Sequence, residues 1–154
     1  MKVILPGSYD PVTLGHLSVI RYASERYSQV YVVAFQNPDK KYTFSAEERV
    51  KMLSLATADM PNVTVDFDGG YVVDYMKRHG IEKIIKGYRN SVDLEYERVQ
   101  AAYNKEKGGY ETELWQATEG MRAISSTEAR ERIKRGGELS KILPEKVISF
   151  INNH

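Results

Sequence analysis

The chain contains 154 residues, about the length of one ordinary domain, and its 42% hydrophobic and 28% charged residues are typical of soluble globular proteins. Its formal net charge of +1 argues against nucleic-acid binding through a broad basic surface, and the absence of cysteine excludes disulfides, thiolate zinc sites and cysteine nucleophiles. No apolar run is long enough for a secretory signal or a membrane span, so we expect a cytoplasmic protein with neither membrane nor nucleic-acid partners.

Apolar, β-branched runs alternate along the chain with amphipathic stretches. In chain order, the pattern predicts a strand at 3–5, a helix at 17–27, a strand at 30–35, a helix at 45–58, a strand at 63–67, a helix at 71–78, a strand at 83–86, a helix at 93–105, a strand at 112–117, and helices at 126–135 and 144–152. Ser45 and Glu48 form a capping-box pattern, Ser125 and Glu128 a second candidate pair, and Gly80 is a helix stop.

This alternation of strands and helices predicts the α/β class: a single-domain, doubly wound, Rossmann-like parallel sheet over residues 1–154, with helices on both faces. In such sheets, ligands bind beyond the carboxyl ends of the strands. The polar segments 6–16, 36–43, 87–93 and 121–127 each follow a predicted strand. We therefore expect them to converge on one site.

The first of these segments carries the strongest chemical signal. A loop rich in proline and glycine ends in Gly15-His16, just before the predicted helix 17–27. The glycine lets a phosphate approach the backbone, the helix start offers unpaired N–H groups, and the histidine can donate to developing negative charge. These residues indicate a phosphate site with a catalytic imidazole, although a histidine at a helix start can also be merely structural.

The other polar residues have ordinary explanations beside the functional ones. Lys40 could be a solvated loop lysine, and Ser8 and Tyr9 fit a turn before Asp10, which we expect to order the loop. Arg89 follows Gly87, a glycine that permits close phosphate approach, but it could lie on the surface, and Glu97 could be a solvated helical glutamate. The hydroxyls of residues 125–127 could simply cap a helix.

Four blocks in register resemble the nucleotidyltransferase superfamily with Thr/His-x-Gly-His and Ile-Ser-Ser-Ser/Thr motifs, and most closely the bacterial phosphopantetheine adenylyltransferase family. The blocks are Gly7-Ser8-Tyr9-Asp10-Pro11-Val12-Thr13-Leu14-Gly15-His16, Lys40-Lys41 before Phe44-Ser45-Ala46-Glu47-Glu48-Arg49, Gly87-Tyr88-Arg89 before Asp93-Leu94-Glu95-Tyr96-Glu97, and Ile124-Ser125-Ser126-Thr127. Asn104 follows at the expected distance, and the resemblance spans essentially the whole chain.

The resemblance implies catalytic roles for His16 and Lys40, with His16 stabilising the transition state and Lys40 orienting the acceptor phosphate. It implies that ATP is bound by Ser8, Tyr9, His16, Gly87, Arg89, Glu97, Ile124, Ser125, Ser126 and Thr127. It implies that phosphopantetheine is bound by Ser8, Lys40, Val72, Val73, Lys86 and Asn104. No cluster is typical of a dedicated metal site, so Mg²⁺ would arrive with ATP.

The implied reaction is adenylyl transfer from ATP to 4′-phosphopantetheine, giving dephospho-coenzyme A and pyrophosphate by direct in-line attack without a covalent intermediate. The resemblance also implies a homohexamer and coenzyme A as a feedback ligand. Two alternatives stay open: a nucleotidyltransferase acting on nicotinate mononucleotide or glycerol phosphate, and a non-catalytic nucleotide sensor. The chain departs from the family at Lys86, where arginine is usual, and at Met121-Arg122-Ala123, where an aromatic residue is often found near the adenine.

Overall fold

The computed structural model describes residues 1–153, and His154 lies outside the described residues. Eleven helices and strands and one short 3-10 turn follow one another in this part of the chain. They are β1 (Lys2–Gly7), α1 (Leu14–Arg26), β2 (Gln29–Phe35), α2 (Ala46–Ala56), β3 (Val63–Asp68), α3 (Val72–His79), β4 (Lys83–Tyr88), α4 (Ser91–Gly108), β5 (Glu111–Gln116), the 3-10 turn (Glu119–Met121), α5 (Ser126–Arg135) and α6 (Glu145–Asn152).

The described strands form one parallel sheet in the order β3-β2-β1-β4-β5. Val3 and Leu5 of β1 pack into one apolar cluster with residues of α1, α2, α5 and α6, whereas Ile4 packs into a second cluster with residues of α3. Since successive strand residues point to opposite faces, helices cover both sides of the sheet. The prediction of a doubly wound Rossmann-like fold is confirmed.

The strand order reverses direction at β1, because the chain first builds outward through β2 and β3 and then crosses to β4 and β5. This reversal opens a crevice between the carboxyl ends of β1 and β4, the place where open α/β sheets bind ligands. The four predicted polar segments follow β1, β2, β4 and β5, so they meet at the same edge of the sheet.

The predicted element types are confirmed, but two helices begin earlier than the predictions. α1 begins at Leu14 rather than at residue 17, because Thr13 caps it and His16 takes the third helical position, where a glutamate or glutamine is usual. α4 begins at Ser91 rather than at 93, because the Asn90 side chain accepts from the backbone N–H groups of residues 92 and 93. The Ser45 capping box and the left-handed Gly80 at the end of α3 are as predicted.

A half-buried polar cluster ties the edge strand β5 to α1 and β4. The Glu113 carboxylate accepts from the hydroxyls of Tyr22 and Tyr27, both at 2.5 Å, and from Lys83 Nζ at 2.9 Å. Tyr22 also stacks on Trp115, with ring centroids 4.6 Å apart. None of the helices in residues 1–153 is both long and apolar enough to cross a bilayer.

Candidate active site

A cavity of about 440 Å³ lies in the crevice at the carboxyl edge of the sheet. All four predicted loops contribute to its walls, which confirms that they converge. The predicted residues among its lining are Ser8, Tyr9, His16, Lys40, Lys86, Gly87, Arg89, Glu97, Ile124, Ser125, Ser126 and Thr127. A second cavity of similar volume adjoins it and shares a wall formed by residues 6–8, 86, 96 and 97.

The His16 imidazole is held by the cap of its own helix. Its Nδ1 accepts a hydrogen bond from the Thr13 backbone N–H at 3.0 Å. The backbone N–H of His16 in turn donates to Thr13 Oγ1 at 3.3 Å. A ring nitrogen that accepts from an amide N–H carries no proton, so in the neutral ring the proton resides on Nε2. The capping box therefore leaves Nε2–H as the donor available to the cavity.

The environment of His16 keeps the imidazole neutral. Burial, followed by the positive charges of Lys86 and Arg89, lowers the pKa of His16 to about 4. The ring also meets the Tyr9 ring edge to face, with centroids 5.0 Å apart. At neutral pH, His16 can thus stabilise negative charge as a hydrogen-bond donor and does not act as a cation.

Tyr9 supports the first loop from inside. Its ring is buried, its hydroxyl donates to the Leu5 carbonyl at 2.8 Å, and burial raises the pKa of this hydroxyl. The Tyr9 backbone has a φ of 51°, a costly conformation for a residue with a side chain. A Cβ on Gly7 would lie 3.1 Å from the Tyr9 ring, so glycine at this position makes room for it.

Ser8 and Lys40 bring the first and second loops together. Lys40 Nζ donates to Ser8 Oγ at 3.1 Å, although the two residues are 32 positions apart in the chain. Asp10 holds the far end of the second loop, because its buried carboxylate accepts from the backbone N–H groups of Thr43 and Phe44, both at 2.9 Å. The sequence predicts that Asp10 orders its own loop, whereas its carboxylate holds the second loop.

Lys86 and Glu97 form the wall between the two cavities. Lys86 Nζ donates to the Pro6 carbonyl at 3.2 Å and forms an ion pair with Glu97, with Nζ 3.4 Å from Oε2. Glu97 is 7% exposed, and its burial raises the pKa of the carboxyl although Lys86 opposes this effect. The alternative of a solvated helical glutamate is therefore wrong for Glu97.

The second cavity is lined by most of the predicted acceptor residues. Ser8, Val72, Lys86 and Asn104 all lie along it. Val73 is different, because it is buried and packs toward α4, where a Cβ on Gly108 would lie 2.7 Å from Val73 Cγ1. The Val73 side chain therefore lines neither of these two cavities.

Gly87 and Arg89 lie beside the first cavity for different reasons. A Cβ on Gly87 would lie 2.5 Å from Val19 Cγ2, so the close neighbour that requires glycine is α1. The sequence predicts that this glycine permits close phosphate approach, and its contact with Val19 is a second reason, which only the fold reveals. The Arg89 guanidinium pairs with Asp93, with Nε 2.8 Å from Oδ2, and remains at the cavity wall.

The first turn of α5 forms the opposite side of the first cavity. Ser125 caps the helix by accepting from the Glu128 N–H at 3.1 Å, and Ser126 Oγ donates to the Pro11 carbonyl at 2.8 Å. The Glu128 carboxylate does not complete a capping box but pairs with Arg132 at 2.7 Å. The predicted Ser125–Glu128 pair is therefore half formed, and residues 125–127 at the start of α5 line the first cavity.

Arg130 is a lining residue of the first cavity that the sequence reasoning missed. Its Nη1 donates to the Asp10 carbonyl at 2.9 Å, and its Nη2 donates to Thr127 Oγ1 at 3.2 Å. The signal was its spacing, because Arg130 lies one helical turn after Ser126 and so projects from the same face of α5. Of the unusual segment, Met121 lines the cavity, whereas exposed Arg122 donates to the Ala117 carbonyl.

Throughout residues 1–153, no group of three or more histidine, aspartate or glutamate side chains is arranged to hold a metal ion. His79 stacks on Tyr75, with centroids 4.1 Å apart, and lines neither cavity.

The comparisons with known proteins agree with this geometry. A family model described as cytidylyltransferase-like matches residues 4–132. A protein of Corynebacterium efficiens named phosphopantetheine adenylyltransferase is 39% identical over 152 residues, which cover 98% of this chain and 96% of the relative. A protein of the same name from Corynebacterium glutamicum is 38% identical over 98% of this chain and 95% of its own length. With these matches over nearly its whole length, the chain belongs to the cytidylyltransferase-like family and, within it, to the phosphopantetheine adenylyltransferase family.

Proposed function

We propose that this chain transfers the adenylyl group of ATP to 4′-phosphopantetheine, giving dephospho-coenzyme A and pyrophosphate. The observation that carries the proposal is that one cavity is lined at once by the neutral His16 imidazole, the Ser8–Lys40 pair, Arg89 and the first turn of α5. His16 would donate a hydrogen bond to the reacting phosphate, Ser8 and Lys40 would position the acceptor, and Arg89 and the start of α5 would bind the other phosphates of ATP. The two Corynebacterium relatives are named for this reaction, which supports the proposal.

In the proposed reaction, an oxygen of the acceptor phosphate attacks the α-phosphorus of ATP in line. The new P–O bond forms as the bond to the β-phosphate breaks, and pyrophosphate leaves with the bonding electrons. The attacking oxygen is already ionised, so no general base is required. The chain's task is positioning and charge stabilisation, as in other phosphoryl-type transfers.

Each predicted residue has a place in this scheme. Two unit charges 4 Å apart repel by about 4 kcal/mol at a protein surface, and Lys40 with Ser8 reduces this repulsion as the acceptor approaches ATP. His16 donates from Nε2 to the α-phosphate oxygen that gains charge. Arg89, Arg130 and the start of α5 hold the β- and γ-phosphates.

The remaining predicted contacts divide between the two cavities. Tyr9, Gly87, Glu97 and Ile124 line the nucleotide cavity, and Val72, Lys86 and Asn104 line the acceptor cavity. Lys86 supplies the charge of the usual arginine without its planar fork, and it is already held by Pro6 and Glu97. Val73 would contribute through its backbone.

Mg²⁺ is proposed to enter with ATP. Among the described residues no side-chain cluster would hold the ion alone, and Mg²⁺ commonly binds through substrate phosphates and water. The bound ion would supply charge neutralisation on the triphosphate.

We further propose a cytoplasmic homohexamer with coenzyme A as a feedback ligand of the same site. Self-association is supported by four exposed apolar side chains that repeat along one face of α4: Val92, Tyr96, Val99 and Tyr103. Light scattering of the purified protein, and competition of coenzyme A with ATP, test these two points.

One observation favours phosphopantetheine over the other acceptors. The second cavity continues past the shared wall to Val72 and Asn104, which leaves room for a long arm attached to the acceptor phosphate. Nicotinate mononucleotide and glycerol phosphate have no such arm. A nucleotide sensor would have no need for the Ser8–Lys40 pair at an acceptor position.

The test is an acceptor screen that measures pyrophosphate release. Wild-type protein is assayed with ATP and phosphopantetheine, ATP and nicotinate mononucleotide, and CTP and glycerol phosphate. We expect release only with the first pair, and we expect His16→Ala to lower turnover while ATP affinity is kept. His79→Ala is the matched control, since His79 lies outside both cavities. ATP binding without release for any acceptor would instead identify a sensor.

A further inference from the structure

Arg49 is a buried cation without an anionic partner. It projects from α2, its side chain is 1% exposed, and it is the largest of the fully buried side chains. No ion pair in residues 1–153 includes it. Arginine is rarely buried unless paired, because removing a charge from water is costly. This placement therefore calls for a functional explanation.

The Arg49 guanidinium joins two loops of the candidate site. Nη1 donates to the carbonyls of Ser8 at 3.1 Å and Phe35 at 3.4 Å, and Nη2 donates to Gln36 Oε1 at 2.5 Å. The guanidinium carbon lies 4.0 Å from the centre of the Tyr42 ring. Tyr42 and Gln36 belong to the segment that carries Lys40, so Arg49 fixes both ends of that segment relative to Ser8.

Two cations consequently donate to different oxygens of Ser8. Arg49 binds its backbone carbonyl, and Lys40 binds its hydroxyl. Arg49 Nε is buried and has no hydrogen-bond partner among the described residues, and its other partners are neutral oxygens and an aromatic face. Among the described residues, no carboxylate lies within ion-pair distance of the guanidinium, and a buried charge acts over a longer distance than a hydrated one.

We propose that Arg49 is a positioning residue for the acceptor phosphate: it holds Ser8 and the Lys40 segment in register, and its charge, which has no ion-pair partner among the described residues, favours a dianion beside Ser8. This inference rests on the proposed function, since it assigns the acceptor phosphate to Ser8 and Lys40. A lysine at position 49 would keep the charge but could not make the forked contacts to Ser8, Phe35 and Gln36 at once.

The test compares Arg49→Met, which keeps the bulk and removes the charge, with Arg49→Lys. Met52→Ala is the matched control, because Met52 is fully buried in the same helix and makes none of these contacts. Kinetic constants are measured for ATP and for phosphopantetheine separately. Binding of phosphopantetheine and of pantetheine, which lacks the phosphate, is measured by calorimetry.

We expect Arg49→Met to raise the KM for phosphopantetheine by about 10- to 100-fold and to leave the KM for ATP within about twofold. It should also remove most of the preference for phosphopantetheine over pantetheine. Arg49→Lys should keep part of this preference. Met52→Ala should lower the melting temperature but leave the preference for phosphopantetheine over pantetheine unchanged. A merely structural arginine would behave like Met52, and that result would overturn the proposal.

The outcomes separate this inference from the proposed function. If the wild-type protein binds phosphopantetheine in preference to pantetheine but transfers no adenylyl group, the proposed function fails. The role of Arg49 in binding the phosphate is then still tested by calorimetry of the variants. If the wild-type protein is active and Arg49→Met keeps the wild-type acceptor KM, the inference alone fails. Should Arg49→Met not fold, a folded Arg49→Lys with an unchanged acceptor KM overturns it equally.

Discussion

The protonation state of His16 gives the sharpest physical prediction. Its Nδ1 accepts from the Thr13 N–H, so protonating that nitrogen would place two donors against each other and break the cap of α1. The pKa of His16 is lowered to about 4, chiefly by burial and then by Lys86 and Arg89. We therefore expect the ring of the folded protein to stay neutral until the pH falls to about 4.

The magnitude follows from the linkage between proton binding and folding. An ordinary histidine pKa is 6.5, and the difference from about 4 corresponds to about 3 kcal/mol of folding free energy. Between these two pH values the unfolded chain binds the proton and the folded chain does not. His16 therefore contributes stability that is complete above pH 6.5 and is lost as the pH falls toward 4.

His16→Gln is the variant that isolates this effect. Glutamine at the third helical position can still accept from the Thr13 N–H, so the cap is kept while the titrating group is removed. Urea unfolding at pH 7.5 and 4.5 should show that the wild-type protein loses about 2–3 kcal/mol more than His16→Gln on acidification. Ring-nitrogen NMR shifts, assigned with the same variant, report the tautomer directly. A pKa at or above 6.5, or a proton on Nδ1 at neutral pH, would refute the reasoning.

Three further predictions concern other parts of the molecule. Lys40→Ala should raise the KM for the acceptor about tenfold or more and leave the KM for ATP unchanged, because its contact is with Ser8; unchanged initial-rate kinetics would remove Lys40 from the site. Gly87→Ala should lower the free energy of unfolding in urea by about 1–3 kcal/mol, since its Cβ would lie 2.5 Å from Val19 Cγ2. The same change should cost less when it is made in a Val19→Ala background. Simple additivity of the two changes would contradict the packing argument. Glu113→Gln should cost about 2 kcal/mol at pH 7: burial disfavours the carboxylate, but hydrogen bonds from two tyrosines and a lysine outweigh it and lower its pKa to about 2. The variant should also lose less stability than the wild type as the pH falls from 4.5 toward 2, and an identical acid transition in both would argue against the cluster.

The order and type of the helices and strands could be predicted because they depend on patterns within a few neighbouring residues. The Ser45 capping box and the glycine stop at residue 80 are contacts over three to five positions, so the local sequence carries them completely. The early start of α1 is equally local. It was missed because His16 occupies the position where a capping glutamate or glutamine is usual.

Convergence of the four loops was also predictable, since parallel strands place their carboxyl ends at one edge whatever the side chains are. The individual contacts were not. Ser8 with Lys40, Gly87 with Val19 and Glu97 with Lys86 join residues from separate elements, and their distances follow from how helices pack on the sheet.

Local pattern in the chain thus accounts for the elements, their order and the edge at which the candidate site lies, because hydrogen-bonded caps and hydrophobic periodicity act between near neighbours. Packing between distant segments sets the rest: the neutral imidazole beside two cations, the division into two cavities, and the buried arginine behind Ser8. Burial and electrostatic environment at these positions depend on residues that are far apart in the chain. These residues come together only when the chain folds.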